Sequence, residues 1–257
     1  MEVAVICVVA LIASLLTFFS GFGLGTILTP VFAIFFPVEI AITLTGIVHL
    51  LNNFFKLLLI GTNADKTVVL AFGIPAFFSA LVGAFVLAKL SDLEPWYSYT
   101  IGDKEHVITP AKLIVAVLLI LFVLMEVVPY WRKIHLGKNL LIVGGLLSGF
   151  FGGLSGNQGA LRSAFLIKGG LSKEAFIATG VAIACIIDVS RLGVYFTRFS
   201  ELGLYENLTL VIAATLSAFA GAFVGRRLLK KVALKSVQML VTVVLIVLSI
   251  SLGLGLV

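Results

Sequence analysis

The eight residues SALVGAFV at positions 79–86 return almost unchanged as SAFAGAFV at positions 217–224. A second pair of similar stretches, AITLTG at 41–46 and AFIATG at 175–180, has an offset of 134 residues, against 138 for the first pair. A glycine-rich apolar run lies upstream of each copy, SGFGLGTILTP from Ser20 and SGFFGGLSGNQGA from Ser148. Self-similarity at one spacing predicts that the chain consists of two copies of one structural unit.

The composition predicts that both copies lie in a membrane. Hydrophobic residues make up 61% of the chain and charged residues 12%, with a mean hydropathy of +1.21. Soluble domains are closer to one half apolar and one quarter charged. Charges are absent from residues 3–38, 67–88, 139–161, 207–225 and 236–257. A spanning helix needs roughly 20 apolar residues, whereas spanning strands would alternate, so we expect an all-α integral membrane protein.

Each half divides into five apolar segments. They are predicted at residues 2–20, 24–36, 39–62, 67–90 and 110–129, then 138–153, 157–168, 174–197, 206–228 and 235–256. Helix N-caps are predicted at Asp65, Thr109, Ser172 and Asn207. The second segment of each half is too short to cross a hydrocarbon core of about 30 Å. We therefore predict one transmembrane domain built from two repeats, 1–130 and 131–257, each a glycine-broken helical hairpin plus three spanning helices.

Loop charges predict the orientation of the repeats. Basic residues without acids cluster at 132–138 and again at 226–235, which is typical of cytoplasmic loops. The connection at 91–109 carries more acidic than basic residues and is expected outside. Three crossings per half then orient the halves oppositely, so the repeats are predicted to be inverted and both termini to lie outside. The net charge of +6 reports this orientation and does not indicate a nucleic-acid partner.

The two glycine-rich tips are the first candidates for a binding site. In transporters with inverted repeats, broken helices meet near the midplane and direct the positive ends of their dipoles at anions. The candidate residues for binding a compact oxyanion there are Ser20, Gly21, Gly23, Gly25 and Thr26 of the first tip, with Ser155, Gly156, Asn157 and Gln158 of the second. Arg162, on the helix after the second tip, is predicted to complete the site. The alternatives are that the glycines only permit tight turns and that Arg162 reaches the cytoplasmic face.

The third segment of each half carries a second set of candidates. Asn53 and Lys56 in the first half match Asp188 and Arg191 in the second at an offset of 135 residues. Arg191 is predicted to line the anion route, and the residues predicted to act in gating or coupling are His49, Asn52, Asn53, Lys56 and Asp188. A structural Asp188–Arg191 ion pair and a core histidine at position 49 are the alternatives.

Enzymatic activity is not predicted. The sequence contains no nucleotide loop or metal-ligand cluster, so neither a cofactor nor a metal ion is expected. The stretch GLSG at 153–156 resembles the serine motif of rhomboid-type intramembrane proteases, which use a histidine on a later helix as the base. All three histidines of this chain precede Ser155. The two cysteines, Cys7 and Cys185, both lie in apolar segments and do not indicate a disulfide framework.

The whole chain resembles the TauE/SafE sulfite exporter family. The resemblance is carried by the two glycine-rich motifs, by LSKEAFIATG from Leu171, by SRLGVYF from Ser190 and by GAFVGRRLLKK from Gly221. It implies a secondary transporter of sulfite or a small organosulfonate in the cytoplasmic membrane. The expected partners are this sulfur-containing anion, protons and the lipid bilayer.

The energetics of an anion favour export. With a negative interior, moving one negative charge outward gains roughly 2.3 kcal/mol per 100 mV, so no coupling ion is needed. The sequence has no dedicated sodium site, and export is therefore predicted. A channel, an uptake permease for another small oxyanion and a structural membrane subunit are the alternatives. The exact substrate and the oligomeric state stay open.

Overall fold

The computed structural model describes residues 2–20, 23–127, 140–166, 170–199, 207–228 and 234–256. Its helices are α1 (Glu2–Ser20), α2 (Leu24–Ala33), α3 (Val38–Ile60), α4 (Lys66–Ser91), α5 (Pro110–Val127), α6 (Leu141–Ser155), α7 (Gly159–Leu166), α8 (Lys173–Phe199), α9 (Leu208–Leu228) and α10 (Leu234–Gly253). A 3-10 turn at Gly61–Asn63 joins α3 to α4. Each helix corresponds to one predicted apolar segment, with boundaries that differ by a few residues.

Three of the predicted N-caps close the first turn of a helix. The Asp65 carboxylate accepts a hydrogen bond from the backbone N–H of Val68 at 3.1 Å. The Thr109 hydroxyl accepts one from Lys112 at 3.2 Å, and the Ser172 hydroxyl one from Ala175 at 3.2 Å. These bonds satisfy N–H groups that have no partner within their own helix. For the fourth cap, Asn207, α9 begins at the next residue.

The connection between α4 and α5 departs from the predicted all-α fold. It contains two antiparallel strands, β1 (Tyr97–Ile101) and β2 (Lys104–Ile108), with Ile101 paired to Lys104. The two-residue turn between them begins with Gly102 at φ 61°, a left-handed conformation that favours glycine. The hairpin is tied to the end of the chain, because the Tyr99 hydroxyl donates to the carbonyl of Leu254 at 2.6 Å.

Within the described part of the chain, four helices are long and apolar enough to cross a membrane. Their apolar stretches are Val38–Asn63, Lys66–Ser91, Lys173–Thr197 and Leu208–Arg227, two in each half of the chain. Large apolar side chains such as Leu58, Phe78 and Leu216 are exposed on them, as expected for surfaces that face lipid. The chain is therefore a mostly helical, multi-pass membrane protein.

The remaining features of the predicted topology stay predictions. Among the described residues, the apolar parts of α1, α5, α6 and the end of α10 run to between 10 and 17 residues. The basic loop at 132–138 lies outside the described residues, and the one at 226–235 lies partly outside them.

Helices of the two halves pack in reciprocal pairs. The first helix of each half packs on the fourth helix of the other, α1 on α9 and α6 on α4. The third helices, α3 and α8, pack on each other, as do the fifth helices, α5 and α10. Glycines make the first two contacts close. A Cβ atom at Gly83 would overlap the carbonyl group of Phe150, and one at Gly221 would overlap that of Leu11.

Candidate functional site

The two glycine-rich segments meet inside the helix bundle. Gly156 ends α6 in a left-handed conformation with φ 77°, which favours glycine. A Cβ atom at Gly25, in the first turn of α2, would lie only 3.0 Å from the Gly156 carbonyl oxygen. Both positions are buried. The breaks before α2 and before α7 are therefore in direct contact.

A small cavity lies beside this contact. Its volume is about 40 Å³, about three times what one water molecule requires by the same measure. Five segments contribute to it: the end of α1, the start of α2 with its preceding residue, and parts of α3, α7 and α8. The lining residues are Thr17, Gly23, Leu24, His49, Asn53, Lys56, Arg162, Ser163, Leu166, Phe176, Ile177, Gly180 and Val181.

The polar wall of the cavity is basic. His49, Lys56 and Arg162 are exposed by only 2%, 4% and 6%. No Asp or Glu is among the described residues that line the cavity. Burying several basic groups together is unfavourable unless an anion compensates them. His49 is paired with a carboxylate behind the wall, so it is Lys56 and Arg162 that favour an anionic ligand.

Behind this wall lies a buried carboxylate that binds two basic side chains. One oxygen of Asp188 lies 2.5 Å from Nδ1 of His49. The other accepts a hydrogen bond from Arg191 Nε at 2.9 Å and lies 2.8 Å from its Nη2. Asp188 and Arg191 are both fully buried and do not line the cavity. The arrangement links α3 to α8 and fixes the histidine at the cavity wall.

Gln158, at the second glycine-rich tip, joins the carboxylate to the cavity arginine. Its amide nitrogen donates to Asp188 at 3.2 Å, and its amide oxygen accepts from Nη1 of Arg162 at 3.3 Å. The Ser148 hydroxyl donates to the backbone carbonyl of Gln158 at 3.2 Å. The tip therefore orients Arg162 without itself lining the cavity.

A second group of hydrogen bonds positions the residues on α3. The Asn53 amide lies 3.2 Å from the imidazole of His49. Asn52, which is about one turn after His49, lies 3.1 Å from the hydroxyl of Ser14 on α1. With the amide of Asn52 oriented to satisfy both of its ends, its oxygen accepts from Nζ of Lys56 at 3.3 Å and its nitrogen donates to the Ala218 carbonyl. The polar face of α3 is thus held by α1 and α9.

Several buried polar atoms near the tips lack hydrogen-bond partners among the described residues. They are the hydroxyl oxygens of Thr29 and Thr45, the amide oxygen of Asn157 and Nη1 of Arg191. All four side chains are exposed by 3% or less. Because buried polar groups are nearly always paired, such a group of atoms calls for an explanation.

The structure brings only part of the predicted site into the cavity. Gly23, His49, Asn53, Lys56 and Arg162 line it. The other predicted residues lie buried around it, namely Gly25, Thr26, Asn52, Ser155, Gly156, Asn157, Gln158, Asp188 and Arg191. Ser20 ends α1, and both its side chain and the whole of Gly21 lie outside the described residues.

Some lining residues were not predicted. Thr17 and Ser163 are neighbours of the predicted Ser20 and Arg162, and this proximity was the available signal. Leu166, Phe176, Ile177 and Val181 form an apolar wall. Apolar residues in a membrane helix carry no mark that distinguishes a cavity wall from packing.

A comparison with protein families gives one match. A family model described as Sulfite exporter TauE/SafE matches residues 6–252. The chain belongs to the TauE/SafE sulfite exporter family. The resemblance noted from the motifs is thereby confirmed over nearly the full length. Searches of curated proteins and of solved structures each gave no match.

Membership of the TauE/SafE family defines the general activity. It is a family of membrane transporters, and it implies export of sulfite or a related anion.

Proposed function

We propose that this TauE/SafE protein exports sulfite or a small organosulfonate across the cytoplasmic membrane, and that the anion binds in the cavity beside the two glycine-rich tips. One observation carries the proposal: His49, Lys56 and Arg162 converge on a single small cavity that has no acidic residue among its described lining residues. Hydrogen bonds between charged groups and an oxyanion are about twice as strong as those between neutral groups.

The surroundings of the cavity support an oxyanion further. Gly23 immediately precedes α2, so the positive end of this helix dipole is directed at the cavity. In the proposed site, Arg162 and Lys56 bind the anion directly, and Gln158 orients Arg162. Asp188 holds His49 at the wall. We propose this pair as the site at which protons bind and influence transport.

Reciprocal packing supports two repeats related by a two-fold axis, as the proposed inverted pair requires. An inverted pair of repeats, 1–130 and 131–257, is related by a two-fold axis in the membrane plane, which exchanges the halves. Such an axis makes every contact between unlike positions occur twice. The pairs α1 with α9 and α6 with α4 satisfy this requirement, and the equivalent glycines Gly221 and Gly83 lie within them. We propose that both termini lie outside.

Removing the charge of Arg162 or of Lys56, the two side chains proposed to bind the anion directly, is expected to weaken anion binding. Replacing Arg162→Gln or Lys56→Gln should raise the KM for sulfite about 30-fold, which corresponds to the loss of about 2 kcal/mol from a hydrogen bond with a charged partner. The measurement is uptake of radioactive sulfite by proteoliposomes over a range of concentrations.

The matched control is Arg226→Gln, which removes the same charge from an exposed position at the end of α9. It should transport sulfite like the wild type. Equal KM values for Arg162→Gln, Lys56→Gln and the wild type would contradict the proposed site.

The direction of transport is tested by the membrane potential. An inside-positive potential should accelerate sulfite entry into proteoliposomes in the absence of a pH gradient, because each negative charge gains roughly 2.3 kcal/mol per 100 mV. If the potential has no effect and a proton gradient alone drives transport, the proposal that the membrane potential drives export is wrong. Protein-free liposomes supply the background rate.

A further inference from the structure

We propose that the protein has a second oxyanion site, formed by Thr29 and Arg191 around Gly156 with Thr45 close by, and that the anion passes between this site and the cavity beside Arg162. The inference rests on the proposed function, since it describes a second station on the same transport route. The group formed by Thr29, Thr45, Gly46, Gly156 and Arg191 is called the inner cluster below.

The inner cluster contains donors without partners. The hydroxyls of Thr29 and Thr45 and Nη1 of Arg191 make no hydrogen bond among the described residues, and all three side chains are fully buried. Leaving such groups unpaired costs free energy. An oxyanion near Gly156 would supply acceptors for the Thr29 hydroxyl and for Nη1 of Arg191.

Two of these donors lie close to Gly156. A Cβ atom at Gly156 would lie 3.1 Å from Nη1 of Arg191 and 3.4 Å from the hydroxyl oxygen of Thr29. Gly25, whose own Cβ position is 3.0 Å from the Gly156 carbonyl, lies 3.6 Å from the Thr45 methyl group. A side chain at position 156 would therefore be in tight contact with both donors, which face the same stretch of backbone.

The repeat relates the inner cluster to the cavity. The cavity is lined by Lys56 from the first half and Gly180 from the second. Their equivalents in the repeat are Arg191 and Gly46, and a Cβ atom at Gly46 would lie 3.3 Å from Nη2 of Arg191. Exchanging the halves therefore converts the cavity pair into the inner cluster pair. In an inverted repeat, equivalent residues lie on opposite sides of the midplane.

Asp188 separates the two sites. It holds His49 at the cavity and binds Nε and Nη2 of Arg191, while Nη1 is turned towards Gly156. Gln158 bridges the same carboxylate to Arg162. An anion that moves between the sites therefore exchanges Arg162 for Arg191 across one shared network.

The test uses Thr29→Val, which removes the hydroxyl and keeps the shape. Sulfite flux is measured in proteoliposomes in both directions with Thr29→Val and with Arg162→Gln. For uptake into the proteoliposomes we expect Arg162→Gln to raise KM about tenfold or more while Thr29→Val lowers the maximal rate about tenfold. In the other direction the anion meets the two sites in the reverse order. Thr29→Val should then raise KM, and Arg162→Gln should lower the maximal rate.

The matched control is Thr215→Val on α9. The Thr215 hydroxyl is likewise buried without a partner among the described residues. Both valine variants should unfold at the same or a higher temperature than the wild type, because an unpaired buried hydroxyl is removed. Only Thr29→Val should impair sulfite transport.

Three results would overturn the second site. If Thr29→Val transports sulfite like the wild type in both directions while Arg162→Gln does not, the cavity site stands and the inner cluster is not a site. If Thr29→Val raises KM equally in both directions, the effect is general and the two-site route is wrong. If the wild type carries no sulfite, the proposed function itself fails, and the second site fails with it.

Discussion

Asp188→Asn is expected to destabilise the protein by about 3–5 kcal/mol and to abolish sulfite transport. Asparagine keeps the size of the side chain and removes its charge. Arg191 would then be a fully buried guanidinium without its ion-pair partner, and His49 would lose the carboxylate 2.5 Å from its Nδ1. Breaking a buried ion pair is costly because the remaining charge can neither pair nor reach water.

The loss of transport has a separate cause. Gln158 donates to Asp188 and accepts from Arg162, so the carboxylate fixes the arginine of the cavity through one intermediate side chain. Displacing Gln158 displaces the cation in the proposed anion site. Thermal unfolding in detergent, followed by circular dichroism, measures the first effect, and radioactive sulfite flux measures the second.

A second substitution separates these effects. The double variant Asp188→Asn with Arg191→Gln removes both members of the pair, and its destabilisation should be smaller than the sum of the two single effects. The control Asp103→Asn makes the same chemical change in the exposed turn between β1 and β2 and should leave unfolding unchanged. Additive effects of the two single changes would show that the Asp188–Arg191 contact does not stabilise the fold.

The helices could be predicted because a membrane restricts the choice of structure. Backbone groups in lipid must bond within their own segment, so charge-free apolar runs of sufficient length become helices. The capping side chains of Asp65, Thr109 and Ser172 then marked the starts of three of them. Both signals are local in sequence, and each was confirmed.

The β-hairpin was not predicted, because the acidic residues of the segment at 91–109 indicate an external loop and carry no information on its backbone conformation. Tyr97, Tyr99 and Ile101 alternate with smaller residues ahead of Gly102-Asp103, which is a hairpin pattern. The segment lies between two long apolar helices, and its acidic residues were a stronger signal than this short alternation.

The sequence could predict which residues belong to the site, but only partly which of them lie together. Basic residues inside apolar segments are rare and are functional candidates by default, which identified Lys56 and Arg162. The sequence cannot tell which of them share a cavity, since this depends on how α3, α7 and α8 are rotated against one another. Arg191 is bound to Asp188 and does not line the cavity, and its predicted place on the anion route stays a prediction.

Alanine at Gly83 or at Gly221 is expected to destabilise the protein by about 3 kcal/mol. In each case the added Cβ would overlap a backbone carbonyl of the facing helix, that of Phe150 on α6 or that of Leu11 on α1. A backbone atom cannot rotate away as the end of a long side chain can, so the two helices must separate along their length. Thermal unfolding in detergent measures the loss.

Gly193→Ala is the matched control, because Gly193 is exposed on α8 and a Cβ atom there would meet nothing within 4 Å. Alanine is the better helix former by about 1 kcal/mol, so this variant should be as stable as the wild type or more so. The sign of the effect therefore separates packing from helix propensity. Similar losses at Gly83 and Gly221 are required if α4 on α6 and α9 on α1 are equivalent contacts of an inverted repeat. A large loss at one glycine with none at the other would contradict that equivalence, even though the two stretches of sequence are nearly the same.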